Sequence, residues 1–187
     1  MTNQTLKAER DHLAGLLEAI QRCVYFLDAS RNKLDWPLAS GLLAAEHKNV
    51  TLFESLAAVN ERFAKLQDTL GAAMRHTALL AGETTETFLK TLTFFEKVGV
   101  LGSVTAWQLC RTTRNLAAHD YETDYAVIAE HFNALNELIP VLYADSARFL
   151  VYCRSSLGIT PLSTDFSDEF VAITATANAR TGLENPE

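Results

Sequence analysis

Five side chains suited to chemistry at a phosphate fall within one short stretch, Arg111-Thr-Thr-Arg114-Asn115-Leu-Ala-Ala-His119-Asp120-Tyr121. Arginine carries a permanent positive charge on a planar fork of donors that matches phosphate oxygens. Histidine gives or takes a proton near neutral pH. Between Lys97 and His119 there is no Asp or Glu, whereas Lys97, Arg111 and Arg114 are all present, so an anionic ligand would be tolerated there.

Other chemistries lack their residues. Eight scattered glycines contain neither GxGxxG nor GxxxxGK[ST], which excludes the familiar phosphate loops. A di-iron bundle needs two Glu-x-x-His motifs, and Glu9-Arg-Asp-His12 stands alone, because His47, His76, His119 and His131 follow Ala44, Ala73, Leu116 and Ile128. That single Glu-His pair reads as a solvated helix face. The five histidines form no zinc signature and there is no Gly-x-Ser-x-Gly elbow, so no metal or other cofactor is expected. Cys23, Cys110 and Cys153 lie far apart, form no CxxC pair and read as reduced thiols.

The elements that must position the cluster are helices. With 187 residues, 48% of them hydrophobic, one compact domain with a sizeable core is expected. Apolar residues recur every three or four positions almost throughout, so the fold should be all-α. Leu13, Leu16, Ile20, Cys23 and Leu27 define a helix from about Thr5 to Asp28, and Pro37 can open a short one over Leu38 to His47. Thr51-Leu-Phe-Glu54 reads as a capping box for a long helix carrying Leu52, Leu56, Val59, Phe63, Leu66, Leu70 and Ala73, with Gly82 as terminator. Phe88, Leu92 and Phe95 mark a shorter helix ending at Gly99 and Gly102, and Ser103 caps a motif helix of about 103–118. A last long helix starts near Thr123 or Asp124, carries Ile128, Phe132, Leu135, Ile139, Leu142, Phe149 and Cys153, and should be kinked at Pro140, whose ring removes one backbone bond and crowds the preceding turn. Residues 1–159 thus read as one up-and-down bundle. Residues 160–187 read as an acidic extension, partly ordered at best, with one short docking helix on Phe166, Phe170 and Ile173 after a Ser167 cap.

Charge and polarity narrow the partners. Sixteen basic residues against 23 acidic leave −7, a balance unsuited to coating duplex DNA. Five acids and one base from Thr160 to Glu187 supply −4 of that, so the body is nearly neutral. The first residues, MTNQTLKAERDHLAG, lack an apolar core and no apolar run approaches a membrane span, so a cytoplasmic protein away from the membrane is expected.

On a straight helix Arg111 and Arg114 lie about 60° apart, on one side with Trp107, while His119 lies about 140° round from Arg114. They converge only if the helix ends or bends after Ala118, or if a second subunit completes the site. A purely structural reading is open as well: Arg114 snorkels over Trp107, His119 caps a helix C-terminus, and Tyr121 packs at a corner.

Arg114-Asn115-Leu-Ala-Ala-His119-Asp120-Tyr121 resembles the motif of the HEPN superfamily, above all the HepT toxin branch with its Arg, four residues, His, one residue, Tyr. The resemblance covers roughly Thr51 to Leu157, which leaves the N-terminal helix as an addition, and Arg111 is not part of the shared pattern. It implies a HEPN-like bundle that forms a homodimer with facing motifs and cuts RNA without metal. Arg114 and His119 would be catalytic, with Asn115, and by our own inference Arg111, supporting the phosphate. It also implies a partner, a minimal nucleotidyltransferase (MNT) antitoxin that transfers AMP to Tyr121. A non-catalytic subunit that presents substrate or nucleotide to such a transferase is the competing function, and a bundle without chemistry is a third.

Overall fold

The computed structural model describes residues 3–83, 86–116 and 124–181. It is all-α, with seven helices and no strand among the described residues: α1 Asn3–Arg31, α2 Ser40–Ala45, α3 Val50–Leu80, α4 Phe88–Lys97, α5 Val104–Leu116, α6 Tyr125–Leu157 and α7 Ser167–Thr181. Among the described residues no helix is long and apolar enough to cross a membrane.

Cross-helix bonds give the topology. On α1 and α3, Glu9 meets His76 while Phe26 and Ser30 meet Arg62, so the two run antiparallel. On α1 and α6, Arg10 meets Leu157 and Arg31 meets Asn136, again antiparallel. Shorter α5 lies antiparallel on α3, with Trp107 near Gln67 and Arg114 near Ala64. A bundle results in which α1, α3 and α6 enclose Leu17, Ile20, Phe63, Leu66, Leu70, Ile139 and Phe149, all fully buried.

The α3 and α6 stripes pack largely as their periodicity implies. On α1 the buried set is Leu13, Leu17, Ile20, Val24 and Leu27, while the expected Leu16 and Cys23 are only half-buried. The cause is that α1 packs against α3, α6 and α7 together, which turns its most covered arc away from a stripe drawn for one neighbour. The Thr51 capping box is also corrected. Asn49 is the N-cap of α3, its side-chain oxygen accepting from the Leu52 amide at 3.1 Å, and Thr51 lies inside the helix. Asparagine caps at least as well as threonine and stands two residues earlier. Ser103 and Asp124 do cap, accepting from the amides of Ala106 and Ala126.

Helix α6 runs on through Pro140 to Gly158, whose φ of +62° closes it in a left-handed turn. Arg10 donates to the carbonyls of Leu157 and Gly158 and so satisfies that end from α1. Beyond it, α7 spans 15 residues, longer than the short docking helix expected, and buries Phe170, Thr174 and Ala177. Ser167 is the first residue of α7, and its hydroxyl pairs with the Gln21 side chain of α1.

Candidate functional site

The motif helix is held along its whole length. Trp107 lies against Gly71 of α3, where a Cβ would stand 3.4 Å from the indole and 3.2 Å from Phe88, so glycine permits the close approach. Gln67, buried on α3, donates to the Trp107 carbonyl at 2.9 Å. Cys110 and Thr113 continue the buried face of α5.

Arg114 sits in the last turn of α5. Its Nη1 donates to the Ala64 carbonyl at 3.1 Å and to Asp68 Oδ1 at 2.7 Å, both on α3. The snorkelling of Arg114 over Trp107 is therefore corrected. The guanidinium turns to α3, where a carboxylate and a carbonyl satisfy it better than a ring face would. Arg111, next to it on the helix, is exposed. The Asn115 side chain, His119 and Tyr121 lie outside the described residues, so the convergence of Arg114 with His119 does too.

The acid-free stretch from Lys97 to His119 is not acid-free in space. Glu96 accepts from the Val104 amide, Asp68 reaches Arg114, and Asp145 of α6 reaches the loop before α5. Asp145 is 1% exposed. Its Oδ1 accepts from the Gly102 amide at 3.1 Å and from Arg148, while Arg148 Nε donates to the Val100 carbonyl at 2.9 Å. This pair pins residues 100–102 and so fixes where α5 begins. Burial pushes the Asp145 carboxyl up to about 6, against the pull of Gly102 N–H and Arg148. Burial, with a smaller push from Asp145, takes the Cys110 thiol up to about 12, so it stays a neutral core group. His131, whose ring nitrogens are buried and have no partner among the described residues, is held below its usual pKa by burial.

A pH dependence follows from Asp145. Its folded pKa lies above the unfolded value of 3.8, so its contribution is most favourable below pH 4 and is lost as pH rises through about 6. At about 1.36 kcal/mol per unit, that loss is about 3 kcal/mol. Urea titrations of wild type and Asp145→Asn from pH 4 to pH 7 should show wild type losing stability relative to the variant by an amount of this order. Parallel curves would contradict the assignment.

The sequence reading also missed two groupings. Glu9 and His12 are not a bare solvated face: His76 of α3 packs its ring on His12, centroids 4.8 Å apart, with Nε2 3.4 Å from Glu9 Oε2. Among the described residues no three such side chains are grouped to hold a metal ion. The second is a cleft of about 450 Å³ between α1 and α3, lined among others by Arg22, Phe26, Arg62, Lys65 and Glu61. In sequence these lie on two helices more than thirty residues apart, each an ordinary mixed-charge face.

Comparison with family models, with curated proteins and with solved structures returns no match for this chain.

Proposed function

We propose that this chain is a metal-independent endoribonuclease, the toxin of a HEPN–MNT toxin–antitoxin pair, acting as a homodimer and neutralised by transfer of AMP to Tyr121. The observation that carries the reading is where the motif falls on the elements. Arg114 stands in the last turn of α5, and His119 and Tyr121 follow in the chain before Asp124 caps α6. The helical run is interrupted somewhere between Leu116 and the Asp124 cap, the stretch in which the convergence of Arg114 with His119 requires an end or a bend.

The chemistry needs two proton-transfer groups. A base takes the proton from the RNA 2′-hydroxyl as its oxygen attacks the adjacent phosphorus, and an acid gives one to the departing 5′-oxygen. One motif carries one histidine, so His119 from each of two chains supplies the pair. Arg114 stabilises the charge that builds on the phosphoryl oxygens, and its tether to Ala64 and Asp68 pre-sets the guanidinium, as transition-state stabilisation requires. Asn115 and Arg111 assist in holding the phosphate.

The same tether favours a second reading, since an arginine committed to α3 also suits a non-catalytic subunit that presents substrate or nucleotide to a nucleotidyltransferase. RNA cleavage by the purified chain separates the two. Assembly is a further test: cleavage activity per chain should fall on dilution below the dimer dissociation constant, read by sedimentation beside the assay. A monomer retaining full activity where no dimer is detectable would remove the two-histidine mechanism.

A further inference from the structure

We infer that the cleft between α1 and α3 is a nucleoside-phosphate subsite, with the phosphate between Arg22 and Lys65 and the base against the ring of Phe26. In its RNA form it rests on the ribonuclease reading, since a strand held there would lead to Arg114.

Three observations carry it. The cleft is cationic in a chain of net charge −7: Arg22, Arg62 and Lys65 line it against one acid, Glu61. Its wall carries an aromatic ring that is 37% exposed, with the Arg62 guanidinium 5.5 Å and the Arg22 guanidinium 5.8 Å from the ring centroid. Arg62 donates to the Phe26 carbonyl and to Ser30, so it braces α1, whereas Arg22 and Lys65 are exposed at the mouth. An exposed ring flanked by cations is the combination that binds single strands, the ring taking a base and the cations its phosphate.

Position is the third. The residues of α3 that line the cleft, Glu61, Arg62, Lys65 and Thr69, occupy the same two turns as Ala64 and Asp68, which hold Arg114. The two sets lie roughly 100° apart around α3. Cleft and motif arginine are thus side by side across one helix. The N-terminal helix α1, outside the resemblance to HepT toxins, supplies half of the subsite.

Cys23 provides a reporter inside the cleft. It is half-buried there, while Cys110 and Cys153 are fully buried. The full chain carrying His119→Ala, which leaves RNA uncut, is titrated with a fluorescein-labelled single-stranded RNA, and in parallel with AMP, following both anisotropy and labelling of Cys23 by a thiol reagent. Bound ligand should slow Cys23 labelling. Arg22→Gln with Lys65→Gln should lower the slope of log affinity against log salt by about 1.4 for RNA, and Phe26→Leu should weaken binding about fivefold or more.

Protection by RNA alone assigns the subsite to a strand, and protection by AMP alone or by both assigns it to a nucleotide in its own right. Either result supports the subsite, and protection by neither overturns it. The two proposals fail separately. A wild type that cuts RNA while the cleft variants bind and cut unchanged removes the subsite and leaves the ribonuclease, whereas cleft binding without cleavage does the reverse.

Discussion

Replacing His119 by alanine should slow RNA cleavage about a hundred- to ten-thousandfold, because general acid–base transfer contributes that much and in the proposed homodimer this residue supplies both proton-transfer groups. Arg114→Ala should cost about a hundred- to a thousandfold through lost stabilisation of the transition-state charge. Neither variant should unfold the bundle. Arg114→Ala gives up an ion pair to Asp68, which is 66% exposed, and one hydrogen bond to Ala64, together about 1 to 2 kcal/mol. Thermal unfolding followed beside the cleavage assay checks this. An Arg114→Ala chain that loses activity only by melting would make the residue structural. Arg114→Lys keeps the charge but not the fork and should recover little of the rate.

The second large effect concerns control. AMP on Tyr121 would add a negative phosphodiester and a bulky nucleoside two residues from His119, beside the proposed site of RNA cleavage. Co-expression with the cognate nucleotidyltransferase should therefore modify Tyr121, seen by mass spectrometry, and stop cleavage. Under the proposed mechanism Tyr121→Phe should leave the chain active and insensitive to the partner. An unmodified Tyr121, or a modified one in a chain still cutting at the original rate, would remove this mechanism.

Which features were legible in the sequence has a physical explanation. Periodicity reports burial against neighbours, so Leu56 to Ala73 on α3 and Leu135 to Cys153 on α6, each walled into the bundle, could be read directly. On α1, coverage by three helices shifted the buried arc from Leu16 and Cys23 to Leu17 and Val24. Asp145 does carry a signal in the sequence: it lies on the apolar stripe, three residues after Leu142 and four before Phe149, where an acid must be buried and bonded. Asp68, Arg22 and Lys65 left none, because their meaning comes from helices brought together by the fold. The motif singles out Arg114, but the carboxylate and carbonyl that hold it belong to α3 and carry no local mark.

The ends of the cut RNA test the central claim most directly. The purified wild-type chain is incubated with single-stranded RNA in EDTA, and the product termini are determined alongside a substrate carrying 2′-deoxyribose. Attack by the 2′-oxygen on the neighbouring phosphorus, with expulsion of the 5′-oxygen, must leave a 2′,3′-cyclic phosphate on one fragment and a 5′-hydroxyl on the other, and must spare the deoxy substrate. Those termini, formed in EDTA and abolished by His119→Ala, are the predicted result. No cleavage in EDTA, or 5′-phosphate ends from a deoxy substrate, would contradict it.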